Sequence, residues 1–199
     1  MSGYYPIFLS LQGKRCLVVG GGEVATRKVR GLLEAGGLVT VVSPVLTEAL
    51  AELVQEDAIR YEARAFRDDD VRGCALVIGA TDQPAVHEAV YEASQRHRVW
   101  VNIVDVPEAC DFIAPAIVRR GALQIAISTS GHSPTLAKRI RQQLEEQYGP
   151  EYAELLDWLG QERARIRRQV DDPTARTAYY EQLVEMVWPG SMAVSPLPT

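Results

Sequence analysis

Residues 15–25, RCLVVGGGEVA, decide the fold. The apolar run Cys16–Val19 meets three glycines, and a helix-like pattern opens directly after them. A strand aimed through glycines at a helix N-terminus makes an anion site, because free backbone N–H groups and the positive helix end face one point. The spacing Gly20-x-Gly22-x-x-Ala25 is the dinucleotide fingerprint with alanine at its third small position. Gly20 is expected to make the tight turn, Gly22 to let backbone approach a pyrophosphate, and Ala25 to keep helix and strand close.

Around this stretch the chain alternates strand and helix as far as Asp105. Apolar runs at Cys16–Val19, Leu38–Val42, Ala75–Ile78 and Val99–Val104 read as buried parallel strands, with Ile59–Arg64 a weaker fifth. Helical patterns fill the gaps at Glu23–Ala35, closed by Gly36, at Leu46–Gln55 and at Ala85–Arg96. The expected fold class is therefore α/β, a Rossmann-like doubly wound parallel sheet with the glycine motif on its first strand-to-helix turn.

After Asp105 the pattern changes. Phe112–Val118 and Ala122–Thr129 read as a hairpin turning at Arg119-Arg120-Gly121. A polar loop, Ser128 to Pro134, leads into a helix over Thr135–Gln147, with Ser133 as N-cap and Pro134 at the first turn. Residues 151–169 and 174–188 read as two more helices split by Asp171-Asp172-Pro173. The expected division is a cofactor-binding domain over 1–111, a small α+β region over 112–148, a helical domain over 149–188 and a disordered tail over 189–199.

Composition narrows the class. Of 199 residues, 47% are hydrophobic and 24% charged, which is ordinary for a soluble globular protein. No apolar run approaches the roughly 20 residues that span a bilayer. The N-terminus lacks the basic start of a signal peptide. Cys16, Cys74 and Cys110 are far apart and form no CxxC pair, which fits a reducing cytoplasm rather than a disulfide or zinc framework. Three scattered histidines likewise give no preformed metal site. The net charge is −5, yet residues 119–168 carry +3, a distribution suited to a polyanionic small molecule. With neither a basic run nor an aromatic platform motif, a nucleic-acid partner is not expected.

Several residues stand where ligands bind in such sheets, at or beyond the carboxyl ends of strands. The second strand ends at Ser43-Pro44-Val45, without the acid that holds a ribose in many NAD sites and without an arginine for a 2′-phosphate. A Ser43 hydroxyl suits an adenosine ribose or a plain strand-ending turn. Thr81 and Asp82 follow the strand before the third helix, Thr81 as a cofactor contact and Asp82 as either a ligand contact or a helix cap. Asn102 and Asp105 lie on the last parallel strand and at its end. A carboxylate there suits proton transfer while hydride leaves for the cofactor, and equally suits a turn. Ser128, Thr129, Ser130 and His132 offer hydroxyls, N–H groups and an imidazole to a carboxylate.

Taken together, these residues resemble one family, the precorrin-2 dehydrogenases of sirohaem synthesis. The resemblance rests on Tyr5-Pro6-Ile7-Phe8, Val19 to Ala25, Arg27-Lys28, Ala80-Thr81-Asp82, Val101 to Asp105, Phe112-Ile113-x-Pro115 and Ser128 to Pro134. It covers residues 4 to about 148; the helices beyond Gly149 carry no quotable motif. It implies NAD-dependent oxidation of precorrin-2 to sirohydrochlorin by an intertwined homodimer, with residues 112–148 as the dimerisation region. It places Gly22, Glu23 and Val24, then Ser43, Pro44 and Val45, on the cofactor, and makes Asp105 the catalytic residue. The substrate is rich in carboxylates, for which Arg119, Arg120, Lys138 and Arg139 are the expected partners by charge-assisted hydrogen bonds. The fused form that also carries a methyltransferase is not expected from a chain of 199 residues. Two alternatives stay open: a bifunctional enzyme that also inserts iron or cobalt into sirohydrochlorin, and an NAD-sensing domain without turnover.

Overall fold

The computed structural model describes residues 3–187, so the expected disordered tail lies outside the described residues. The chain forms two compact units that meet between Ala114 and Pro115.

The first unit is built on five parallel strands, β1 (Arg15–Val19), β2 (Leu38–Val42), β3 (Arg60–Glu62), β4 (Leu76–Gly79) and β5 (Trp100–Ile103), in the order β3-β2-β1-β4-β5. The helices are α1 (Glu23–Glu34), α2 (Glu48–Gln55) and α3 (Pro84–His97). Strand alternation sorts the core into two layers. Cys16, Val18, Val39, Val41, Leu76 and Ile78 pack with Val29 and Leu32 of α1 and the fully buried Leu50 of α2. Leu17, Val19, Val77, Val101 and Ile103 face the other way, onto Val90 and Ala93 of α3. Apolar residues on both faces of one strand are what a sheet covered on both sides requires. The doubly wound Rossmann-like sheet is thus the observed fold of this unit. The fifth expected strand is real but only three residues long, as suits an edge.

All three cysteines are free, and burial with a neighbouring Cys74 pushes the Cys16 thiol up to about 11. The amino edge of the sheet is held by ion pairs. Asp68, in the short 3-10 turn Asp68–Val71, accepts from Arg96 and bonds His97 at the end of α3. Asp68, Asp69 and His97 bring metal-ligand atoms within 4.8 Å of one another, but the Asp68 carboxylate already belongs to Arg96 and His97. No helix among the described residues is long and apolar enough to cross a membrane.

The second unit contains an antiparallel pair, β6 (Ala116–Arg120) and β7 (Leu123–Ile127), followed by α4 (Pro134–Gln147), α5 (Glu151–Gln169) and α6 (Pro173–Val187). The turn differs from the expected Arg119-Arg120-Gly121. Arg120 pairs with Leu123, so Gly121 and Ala122 turn the chain, and both arginines remain in the strand. Gly121 takes φ +55°, which favours glycine, and an added Cβ would lie 3.0 Å from the Ala153 side chain of α5.

Arg64 grips Asp70 through two hydrogen bonds of 2.9 and 2.7 Å, and the Arg67 N–H adds a third at 2.8 Å. Burial alone would raise the Asp70 carboxyl, yet these donors and the Arg64 charge hold it below the usual carboxylate range. A depressed carboxyl stabilises the fold above its unfolded pKa of about 4 and loses that contribution as pH falls through its folded value. Asp70→Asn is therefore expected to lower Tm at pH 7. The gap to the parent protein should shrink in melting curves recorded below about pH 4.

Candidate functional site

Gly20 closes β1 with φ +122°, a conformation open to glycine. An added Cβ would lie 2.6 Å from the Ala80 carbonyl carbon and closer still to its oxygen. Gly21 is equally confined: its added Cβ would meet the Val45 carbonyl oxygen and lie 2.8 Å from Ser43 Oγ. Gly22 is the opposite case. It is the N-cap of α1, its backbone is extended (φ −87°, ψ −172°), and nothing lies within 4 Å of an added Cβ. The first helical bond is Thr26 N–H to the Gly22 carbonyl, so the N–H groups of Glu23, Val24 and Ala25 have no acceptor among the described residues. Ala25 is fully buried and keeps the helix on the sheet. An open space before unsatisfied N–H groups at a positive helix end fits a pyrophosphate.

The β2 end flanks this cradle. Ser43 is buried, and its hydroxyl donates to the Val45 carbonyl at 2.7 Å. That proton is spent on the Ser43-Pro44-Val45 turn, which leaves Ser43 Oγ to a ribose only as an acceptor. Val45 itself is 73% exposed, an apolar surface beside the glycines. On the β4 side, Thr81 Oγ1 accepts the Gln83 N–H at 3.3 Å. The N-cap of α3 is Gln83, so Asp82 is not the cap, and its carboxylate bonds nothing among the described residues.

Beyond β5 the chain folds back on itself. Val106 N–H donates to the Ile103 carbonyl at 3.2 Å, and Asp105 takes the third position of that turn with φ +62°. Glycine or asparagine is the inexpensive choice there; aspartate stores strain of order 1 kcal/mol or more. Asn102 is buried and donates to the Phe112 carbonyl at 2.9 Å and Cys110 Sγ at 3.4 Å. The expected substrate contact thus has a different task, holding the returning strand against β5. The Asp111 carboxylate accepts a further bond from the Val101 N–H at 3.0 Å. Asp105 is exposed at the tip of this braced loop.

One residue of this neighbourhood was not expected from the chain alone. Lys28 of α1 is half-buried; burial and Arg27 lower its ammonium pKa, while Asp105 and Cys110 act in the opposite sense. It stands one helical turn after Val24, and the only sequence signal was its place in the Arg27-Lys28 motif. His87 of α3 has a buried Nε2 without a partner among the described residues.

The second unit carries the remaining candidates. Ser128 Oγ accepts from Ser130 N–H at 3.0 Å, Thr129 Oγ1 from Ser133 N–H at 3.1 Å, and Ser133 Oγ from Leu136 N–H at 3.2 Å. These bonds hold Ser130 in the left-handed region at φ +50° and leave Ser130 and His132 exposed. Lys138 is exposed on α4 and has no bonded partner among the described residues; Arg119 is half-buried in β6. Arg120 departs from expectation. Its guanidinium donates to the carbonyls of Tyr148, Glu145 and Arg119 at 2.8, 3.0 and 2.8 Å, capping the C-terminal end of α4 rather than facing outward.

With this geometry established, comparison with known proteins is informative. A family model for NAD(P)-binding domains matches residues 7–116, and one for the sirohaem biosynthesis protein central region matches residues 120–147. Among solved structures, SirC, a precorrin-2 dehydrogenase, aligns with a TM-score of 0.79 and 30% identity over 94% of this chain and 92% of its own. The chain belongs to the precorrin-2 dehydrogenase and sirohaem synthase family. Among curated relatives, siroheme synthase of Methylococcus capsulatus is 41% identical over 92% of this chain, and that of Nitrosococcus oceani is 39% identical over 92%. The chain spans 38% and 39% of the length of those two proteins. The dinucleotide site expected from the glycine motif, and the NAD implied by the resemblance, agree with the NAD(P)-binding match and the likeness to SirC.

The two outer glycines of the cradle should respond differently to substitution. Gly22→Val, at an extended and open position, is expected to leave Tm within about 1 °C of the parent while weakening NAD binding at least tenfold. Gly20→Ala should cost more than about 2 kcal/mol, through a backbone clash at a positive φ. Differential scanning fluorimetry with and without NAD measures both effects.

Proposed function

We propose that this protein is an NAD-dependent precorrin-2 dehydrogenase, which oxidises precorrin-2 to sirohydrochlorin in sirohaem biosynthesis and works as a cytoplasmic homodimer through residues 112–148. The observation that carries the reading is the pairing of an open phosphate cradle at Gly22 with a strained aspartate, Asp105, on the same carboxyl edge. Only β4 stands between β1 and β5, so the two strands lie roughly 10 Å apart by ordinary sheet spacing. Phosphate and reacting ring of one dinucleotide fit along such an edge.

The N–H groups of Glu23, Val24 and Ala25 would hold the pyrophosphate, with Gly22 keeping the approach clear. Ser43, Pro44 and Val45 would meet the adenosine end through one acceptor oxygen and an apolar surface. Thr81 and Asp82, beyond β4, would border the nicotinamide end. NAD, when bound, supplies the hydride acceptor. Asp105 accepts the proton that leaves the tetrapyrrole in the same oxidation, and the Asn102 and Asp111 bonds hold its loop in place. Lys28 lies close enough to feel the Asp105 charge, which opposes the lowering of its ammonium by burial and Arg27. In the second unit, Arg119, Lys138 and the Ser128–His132 loop serve the substrate's carboxylates.

Anaerobic turnover of freshly generated precorrin-2 with NAD⁺ tests this reading. Asp105→Asn is expected to cut NADH formation by about 10²-fold or more with NAD affinity unchanged. Equal rates would leave Asp105 only as a turn residue, and NAD binding without turnover by the parent protein would favour the sensor alternative. Metal insertion is read separately, by supplying sirohydrochlorin with ferrous or cobalt ion.

A second measurement addresses Lys28. Asp105→Asn removes a negative charge that holds the Lys28 ammonium up, so in an NMR titration the already lowered Lys28 should titrate at still lower pH. An unmoved Lys28 titration would show that the two groups do not interact.

A further inference from the structure

Between α5 and α6 the second unit holds a cleft of about 270 Å³, lined by Arg163, Arg167, Pro173, Arg176, Thr177 and Tyr180. Three arginines line it, and no acidic residue does. Two of the nearby acids are occupied elsewhere: Asp172 accepts the Thr174 and Ala175 N–H groups at the start of α6, at 3.3 and 2.9 Å, and Glu162 pairs with Arg165 at 2.6 Å. The cleft lies beyond residues 120–147, where the family's central region ends, and none of its residues enters the mechanism above.

Two of the three arginines are fixed in place. The Arg163 guanidinium sits over the Tyr180 ring, 4.9 Å from its centroid, and the Tyr180 hydroxyl donates to the Arg163 carbonyl at 3.4 Å. Arg176 donates to the Asp171 carbonyl at 3.3 Å. Arg167 forms no hydrogen bond or ion pair among the described residues. It lies four residues after Arg163 on the same helix face, where like charges repel and weaken the helix. Aromatic stacking and main-chain bonds therefore hold positive charge together without neutralising it. Guanidinium forks so arranged match planar oxyanions, which they bind by paired, charge-assisted hydrogen bonds.

We infer that this cleft is a second ligand site, which takes a multivalent oxyanion through Arg163, Arg167 and Arg176. The chemistry suits carboxylates of a substrate and free phosphate alike. The site stands independently of the dehydrogenase reading, since its test reads binding and not turnover.

Isothermal titration of the full chain at low ionic strength, with citrate and with inorganic phosphate as probes, tests the site. Saturable binding of at least one probe is expected, weakened about tenfold by Arg167→Gln through loss of a charge-assisted bond. Arg168→Gln, next to it in sequence and outside the cleft, should leave binding unchanged. Because Arg167 has no bond to lose, Arg167→Gln should not lower Tm, which separates a binding role from a structural one. Arg163→Gln should weaken binding too, and the Arg167 variant remains decisive if the loss of Tyr180 stacking unsettles the helices. Citrate that raises the KM for precorrin-2 without changing kcat in the parent protein, but not in Arg167→Gln, would assign the site to substrate carboxylates. Phosphate binding that leaves that KM unchanged would assign it to a free phosphate. No saturable binding of either probe, or binding that Arg167→Gln does not alter, would overturn the inference.

Discussion

At the end of β1 the backbone of Gly20 lies against the carbonyl of Ala80, so close that no side chain fits between them. This contact joins the ends of β1 and β4, the two strands between which the sheet reverses its winding direction. Chain leaving β1 must then run up and into α1, while chain leaving β4 runs into α3 on the other face. The crevice between those departures is where ligands bind in open α/β sheets. Gly22, Ser43, Thr81 and Asp105 reach one edge because parallel strands all end there. A substitution that pushed β1 and β4 apart would disturb each of them at once.

Asp105 shows how that edge comes to carry an exposed carboxylate. Its left-handed backbone puts a carboxylate where a strand ordinarily ends in glycine or asparagine. The cost is met by a scaffold that leaves the turn few alternatives: Asn102 to Phe112, Asp111 to Val101, and Cys110 donating to the carbonyls of Ile103 and Val106. Buried polar groups with satisfied bonds specify one conformation, whereas a loose loop would leave the carboxylate free to wander. Lys28 of α1 feels the Asp105 charge, so a group on the first helix is coupled to the turn after β5.

Much of the first unit was legible in the chain, since long apolar runs with glycines at their ends have few alternative structures. Leu38–Val42 matched to the residue, and the first helix starts at the expected Glu23. Positions decided by tertiary partners were not legible. Arg120 looks like a substrate arginine until α4 is seen to end beside it with carbonyls to satisfy. Asn102 sits at the carboxyl edge, but its amide turns inward because a returning loop presents the Phe112 carbonyl. Asp82 resembles a cap, yet the helix begins one residue later than that role needs. The turn at Gly121-Ala122 was displaced because a basic pair reads as polar loop although both arginines keep strand pairing. Lys28 was quoted only as part of a motif, because nothing in a linear chain says which loop will come to rest against a helix.

The contrast between Gly20 and Gly22 bears on how variants of this protein would be sorted in the laboratory or in evolution. One glycine is held by packing, while the other faces open space that the proposed function gives to the cofactor. A library filtered for soluble, high-melting protein would discard changes at the first and pass nearly all changes at the second. If Gly22 serves the cofactor as proposed, such a population would drift toward well-folded proteins blind to it, two residues away from a position that never varied.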